Sequence, residues 1–266
     1  MADTKTPESG HRTGLPRWMF LGLAAFVLAV LGVRFLYSKV SDDDASDVSD
    51  DRNGQQEEDD QDLPRVTTTL TENAVPVDPT CPAEDGSSER FVAFSGPPPE
   101  CIDPAATYVA EVTTTRGDFE ITLDPAGAPV NVNNFVFLAR YHYYDGVGFH
   151  RIIPGFVAQA GDPVGPVVGS GGPGYTVDDE PPADEPFYPP LSVAVANKFP
   201  EPDSGGSQFF IVTGPQGEAL DPNYSRIGQV TAGADVIAAI DETGATDGSG
   251  DPIDLTVIES ITITEG

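Results

Sequence analysis

FHRIIPGFVAQAGD, residues 149–162, is the stretch whose reading decides the fold. Phe149, Ile152, Ile153, Phe156 and Val157 form short β-prone runs on either side of Pro154-Gly155, a turn dipeptide, so the spacing predicts two strands meeting at a bend. Two polar residues interrupt that apolar surface. Arg151 lies two residues from Ile153 and Gln159 two from Val157, and period-2 alternation aims both at one face of a sheet. A guanidinium there is either a structural arginine paired with a carboxylate or a group with chemistry to perform. Residues 191–197 (LSVAVAN) and 205–212 (GGSQFFIV) repeat the mixture of apolar strand residues with one amide each.

Outward from this stretch, residues 108–114 and 119–123 alternate and flank Thr115-Arg116-Gly117-Asp118, a hairpin pattern. Residues 129–141 read as a helix, with Pro129 in its first turn and Val132, Phe135, Val136, Leu138 and Ala139 at helical spacing. Residues 235–240 read as a second helix and 255–264 as a closing strand. Many short strands with two separated helices predict a mainly β domain, an antiparallel barrel capped by helices.

FHRIIPGFVAQAGD, GGPGY at 171–175 and GSQFFI at 206–211, in this order, resemble the signature segments of the cyclophilin-type peptidyl-prolyl cis-trans isomerases. The similarity runs from about residue 106 to the C-terminus. It implies a closed eight-stranded antiparallel β barrel with a helix at each end, a filled interior and a groove on the outer surface for proline-containing polypeptides. Position by position, it makes Arg151 a donor toward the prolyl group and Gln159 the residue that positions Arg151 and the substrate carbonyl. Phe156, Val157, Phe210 and Leu220 would wall the proline pocket, Ala196 and Asn197 would contact the preceding residue through their backbone, and Gln208 would line the neighbouring surface. Three positions depart from the family pattern. Val157 stands where methionine is common, Tyr224 where a pocket histidine is frequent, and Ala219 where many members carry a tryptophan that contacts cyclosporin, so weak drug sensitivity is expected.

The implied reaction needs no cofactor and no metal. Rotation about an X-Pro bond breaks amide resonance across a barrier of roughly 18–20 kcal/mol, and an enzyme need only bind the twisted amide better than the planar one. A low-turnover scaffold that merely holds proline peptides is the alternative. It has no use for a guanidinium aimed at the proline. Other motifs carry less. GSGGPG at 169–174 fits a dinucleotide pattern in letters only, because a proline interrupts it and a β-prone Tyr-Thr-Val follows where a helix is required. His142 and His150 have no third ligand at a fitting spacing, and Ser170, Ser192 and Ser207 lack the setting of a nucleophile.

The front of the chain reads differently. Residues 1–17 are polar and form an expected cytoplasmic tail; residues 18–37 open on WMFLGLAAFVLAVLGV, a charge-free run that predicts a transmembrane anchor. Residues 38–63 contain SDDDASDVSDDRNGQQEEDDQD, an acidic disordered tether, and residues 64–105 form a Pro-rich irregular segment ahead of the 106–266 domain. The 266 residues carry 13 Lys+Arg against 43 Asp+Glu, a formal net charge of -30, which argues against nucleic acid and anionic lipid as partners of the soluble part and favours a self-repelling monomer. Cys81 and Cys101, the only cysteines, are either free thiols or one disulfide closing a loop. The bridge is the preferred reading if the domain faces an oxidising space, and it in turn favours a cell-membrane protein with a cytoplasmic N-terminus and an extracytoplasmic domain.

Overall fold

The structure, a computed structural model, describes residues 75–163 and 169–266. The segments read as tail (1–17), anchor (18–37) and tether (38–63), with residues 64–74, lie outside them. Among the described residues no helix is long and apolar enough to cross a membrane.

β1 (Tyr108–Thr114) and β2 (Gly117–Leu123) pair with Thr114 opposite Gly117, so the turn is Thr115-Arg116 and shorter than the four residues read from the sequence. Gly117 permits this with φ 131°, a backbone region that side chains disfavour. α1 (Pro129–Arg140) starts at the expected proline, but Ala128 before it has no capping side chain. The Glu180 carboxylate takes that role from a distant loop, accepting from the Val130 and Asn131 N–H groups at 3.1 and 2.9 Å. This satisfies donors that the helix leaves free and places negative charge at its N-terminus.

The remaining elements are β3 (Val147–Gly148), β4 (Arg151–Ile153), β5 (Val157–Ala160), β6 (Ser192–Val195), β7 (Phe209–Val212), α2 (Pro215–Glu218), β8 (Arg226–Ala232), α3 (Ala234–Asp241) and β9 (Val257–Glu265). All nine strands join one antiparallel sheet in the order β3-β9-β1-β2-β8-β6-β7-β5-β4. Among the described residues the expected closed eight-stranded barrel with two helices is therefore corrected to a curled nine-stranded sheet with three helices. β3 and β4 are its edges. Only Phe149 and His150 separate them, too few residues for the chain to reverse and form a ladder, so the two edges are linked through the chain itself.

The sheet divides its side chains between two cores. Ile152, Ala158, Ala160, Val193, Val195, Phe209 and Ile211 join the main core with Phe135, Leu138 and the aromatic residues around α1. The alternate residues Val157, Ala194, Phe210 and Val212 form a smaller outer core with Tyr188, onto which Phe156, Phe187, Leu220 and Tyr224 pack. Strand alternation thus builds an apolar floor outside the sheet. Residues 75–105 cross the domain as a strap stapled by the Cys81–Cys101 disulfide, whose Cα atoms are 5.3 Å apart. The strap is irregular, with one parallel bridge between Val77 and Phe94, yet Phe94 is only 1% exposed.

Candidate active site

The FHRIIPGFVAQAGD hairpin forms as its pattern predicts, with Arg151 opposite Gln159 and Ile153 opposite Val157 around the Pro154-Gly155 bend. Gln159 in turn lies opposite Phe210, and Phe210 opposite Ala194. Successive strands therefore set Arg151, Gln159 and Phe210 in one row across β4, β5 and β7. Each is on the outer face because its neighbours Ile152, Ala158, Ala160, Phe209 and Ile211 fill the inner one.

Nine of the ten residues singled out from the sequence line one pocket of about 240 Å³: Arg151, Phe156, Val157, Gln159, Ala196, Asn197, Phe210, Leu220 and Tyr224. The tenth, Gln208, lines an adjoining cavity of about 210 Å³, which shares Gln159, Ala196 and Asn197 with the first. A chain of side-chain hydrogen bonds runs between the two. Arg151 Nη1 donates to Gln159 Oε1 at 3.3 Å, Gln159 Nε2 donates to Gln208 Oε1 at 2.9 Å, and Gln208 Nε2 donates to the carbonyls of Gly169 and Gly171 at 3.0 and 2.9 Å. The glycine-rich 169–174 loop is therefore the anchor of the amide chain.

Among the described residues no carboxylate forms a salt bridge with Arg151; its side chain is held by the Gln159 amide instead. Burial pulls the guanidinium below its usual pKa, partly opposed by the Tyr224 phenol, and an arginine so shifted remains charged at neutral pH. The result is a half-buried cation over an apolar pocket. Tyr224 forms a wall edge-on to Phe210, with ring centroids 5.3 Å apart and planes at 90°. Its burial raises the phenol pKa, with Arg151 acting in the opposite direction, so the ring stays neutral. Tyr188 holds it in place: its hydroxyl donates to the Tyr224 carbonyl at 2.9 Å and accepts from the Tyr224 N–H at 3.0 Å. Burial moves the Tyr188 phenol up to about 12, which keeps both bonds intact across the neutral range.

Other supports had no local signal in the sequence. Asn197 Nδ2 donates to Asp179 Oδ1 at 3.1 Å and to the Asn223 carbonyl at 2.8 Å, and the Asp179 and Asp203 carboxylates each accept from the other residue's N–H at 2.9 Å. This clasp fixes the 198–204 loop beside the site. The Ala196 N–H donates to the Gln208 carbonyl at 2.9 Å and so is not available to a peptide. Ala219 sits at the C-terminal end of α2, next to Leu220, and leaves an alanine-sized side chain at the pocket's flank.

The pocket's lining consists of apolar and aromatic side chains with one guanidinium and two side-chain amides as polar groups, a set suited to holding an amide beside a fixed donor. This class of protein is narrowed by comparison with known families. The sequence model of the "Cyclophilin type peptidyl-prolyl cis-trans isomerase/CLD" family matches residues 109–263, and the chain belongs to that family. Peptidyl-prolyl cis-trans isomerase A of Mycobacterium tuberculosis is 42% identical over 178 residues, covering 60% of this chain and 94% of that protein. Peptidyl-prolyl cis-trans isomerase B of Streptomyces anulatus is 38% identical over 176 residues, covering 60% and 98%. A crystal structure of a Cryptosporidium parvum cyclophilin-type isomerase superposes with a TM-score of 0.55 at 29% identity, covering 60% of this chain and 99% of that one. A second crystal structure of that protein, in the presence of the dipeptide Ala-Pro, gives a TM-score of 0.54 at the same identity and covers 59% and 99%. The chain is a cyclophilin-type peptidyl-prolyl cis-trans isomerase.

Proposed function

We propose that this isomerase is held at the outer side of a cell membrane by residues 18–37 and acts there on proline-containing segments of exported polypeptides. The cross-strand row of Arg151, Gln159 and Phe210 over an apolar pocket carries the mechanistic part of this reading. The pyrrolidine ring occupies the pocket between Phe156, Val157, Phe210, Leu220 and Tyr224. Arg151 donates toward the prolyl nitrogen as it becomes pyramidal and loses conjugation, so the interaction strengthens in the twisted state and lowers the barrier. Gln159 orients Arg151 on one side and meets the substrate carbonyl on the other. The crystal structure of the Cryptosporidium relative in the presence of Ala-Pro supports proline-containing peptides as ligands.

The location rests on the charge-free run at residues 18–33 and on the disulfide between Cys81 and Cys101, a bond at home in oxidising compartments. A cysteine placed within residues 41–62 of the full chain tests it in intact cells with a membrane-impermeant thiol reagent. Labelling before lysis is the expected result. Labelling only after lysis reverses the orientation, and a soluble product beginning near Arg34 replaces the anchor with a cleaved signal.

A further inference from the structure

The strap at residues 75–105 lies ahead of the residues that match the family. Besides its contacts with α1 and the segment after it, it touches the wall of the cavity beside the proline pocket. The Phe94 N–H donates to the Pro173 carbonyl at 2.8 Å. Gly174 takes φ 98°, and a Cβ there would stand 2.7 Å from the Phe94 carbonyl oxygen, so strap and loop meet backbone to backbone. The Phe94 ring packs against Tyr175, Phe137 and Tyr141 at centroid distances of 6.4, 4.8 and 5.4 Å. Pro173 and Tyr175 both line the cavity, with Gly171, Gly206 and Gln208.

The contacts continue into the site. The Tyr175 hydroxyl donates to Asn134 Oδ1 at 2.6 Å, while Asn134 Nδ2 donates to the Gly206 carbonyl at 2.8 Å, so the strap-backed loop and the start of GSQFFI are tied through one asparagine of α1. The Gly171 carbonyl, two residues from Pro173, accepts from Gln208, which holds Gln159. Removing Phe94 takes away the donor to Pro173 only if the strap departs, but it always takes away the ring behind Tyr175.

We infer that the strap is a working part of the peptide groove and that Phe94 is a positioning residue. It sets the 171–175 wall and thereby the fit of substrate residues that lie ahead of the proline. The inference rests on the isomerase reading of the adjoining pocket. The proline pocket itself has no strap-contacting residue in its lining and is reached from the strap only through Gln208 and Gln159, so a ligand confined to it depends little on Phe94. An extended peptide, whose earlier residues cross Ala196 and Asn197 into the second cavity, is sensitive to it.

The test compares the full chain with Phe94→Ala and Phe94→Leu, using a short peptide with one residue before the proline and an extended peptide with several. Phe94→Ala is expected to raise KM for the extended peptide by about five-fold with kcat little changed, to leave the short peptide within about two-fold, and to show a smaller shift as Phe94→Leu. Amide hydrogen exchange of residues 171–176 is expected to speed up in Phe94→Ala while β5 and β7 stay protected. Equal effects on both peptides, or unchanged exchange at 171–176, overturn the inference. If Phe94→Ala does not fold, Phe94→Leu and the Cys81→Ser/Cys101→Ser chain are read by the same two measurements. A parent protein inactive on both peptides defeats the isomerase reading, while exchange at 171–176 still decides the role of the strap.

Discussion

In the proposed mechanism Arg151 is the residue on which the chemistry turns, because its charge is half-buried, its partner is an amide and it stands over an apolar pocket. Arg151→Ala is expected to lower kcat/KM by at least about 10-fold, equivalent to about 1.4 kcal/mol of transition-state stabilisation, with the fold retained. Progress curves of prolyl isomerisation beside a circular dichroism spectrum check this. Parent-like activity removes the proposed role, and a chain that does not fold returns Arg151 to a structural one. The preceding residue supplies a pH signature. Burial holds the His150 imidazole below its usual value of 6.5, the Asp162 charge pulling the other way and Arg151 adding to the depression. The unfolded chain then binds the proton more readily than the folded one, so this contribution to stability is intact above 6.5 and is lost as pH falls toward the folded value. Thermal melts at pH 7.5 and pH 5 should show a smaller acid-side loss in His150→Asn than in the parent. Identical losses would show that His150 is not responsible.

At the scale of elements, legibility followed locality. The hairpin of β4 and β5 was readable because its turn, its alternation and both polar residues lie within one stretch, and its register then placed Arg151 opposite Gln159. β8 was not anticipated. Its buried Ile227, Gly228 and Val230 break strict alternation, and the ladders to β2 and β6 both shift register along it. β3 has only two residues and α2 four, below what a periodic pattern can reveal. Arg151 and Gln159 stood out from alternation and the other eight candidate site residues from resemblance to a family, whereas Tyr188, Asp179 and Asp203 act through contacts that no short sequence window contains. Glu180 is another such long-range part. Its carboxylate caps α1 from 49 residues away and also accepts from Asn131 Nδ2 at 2.8 Å. Glu180→Ala is expected to destabilise the protein by about 1–2 kcal/mol, and Glu180→Gln by less, since the amide oxygen still accepts from Asn131 while the amide NH2 loses the bond to the Val130 N–H and the charge for the helix dipole is gone. Urea denaturation checks both values, and an unchanged midpoint in Glu180→Ala would deny the cap any energetic role.

At the scale of the whole molecule, the strap and the sheet share one core although only the sheet belongs to the matched family region. The disulfide spans a sequence separation of 20, and a chain-entropy account of such a closure gives about 3 kcal/mol, model-dependent, with reported effects of about 2–4 kcal/mol. That stabilisation has a place in the structure. Between the cysteines, Arg90 donates to the His142 and Asp145 carbonyls at 2.9 and 2.7 Å, Phe91 N–H donates to the Tyr141 carbonyl at 3.1 Å, and Phe94 is buried on α1. The sheet ladders contain no strap residue, apart from the isolated Val77–Phe94 bridge within the strap itself. Opening the bridge should therefore loosen the strap before the sheet, exposing Phe94 and the face of α1 that it covers, while the row of Arg151, Gln159 and Phe210 remains assembled. The expected outcome for Cys81→Ser/Cys101→Ser is early protease cleavage within residues 82–93, fast hydrogen exchange there, a protected sheet, and isomerisation of a short peptide close to that of the parent. Loss of strap and sheet together at one denaturant concentration would mean that the strap is an obligate part of the fold, and that its disulfide stabilises the entire domain.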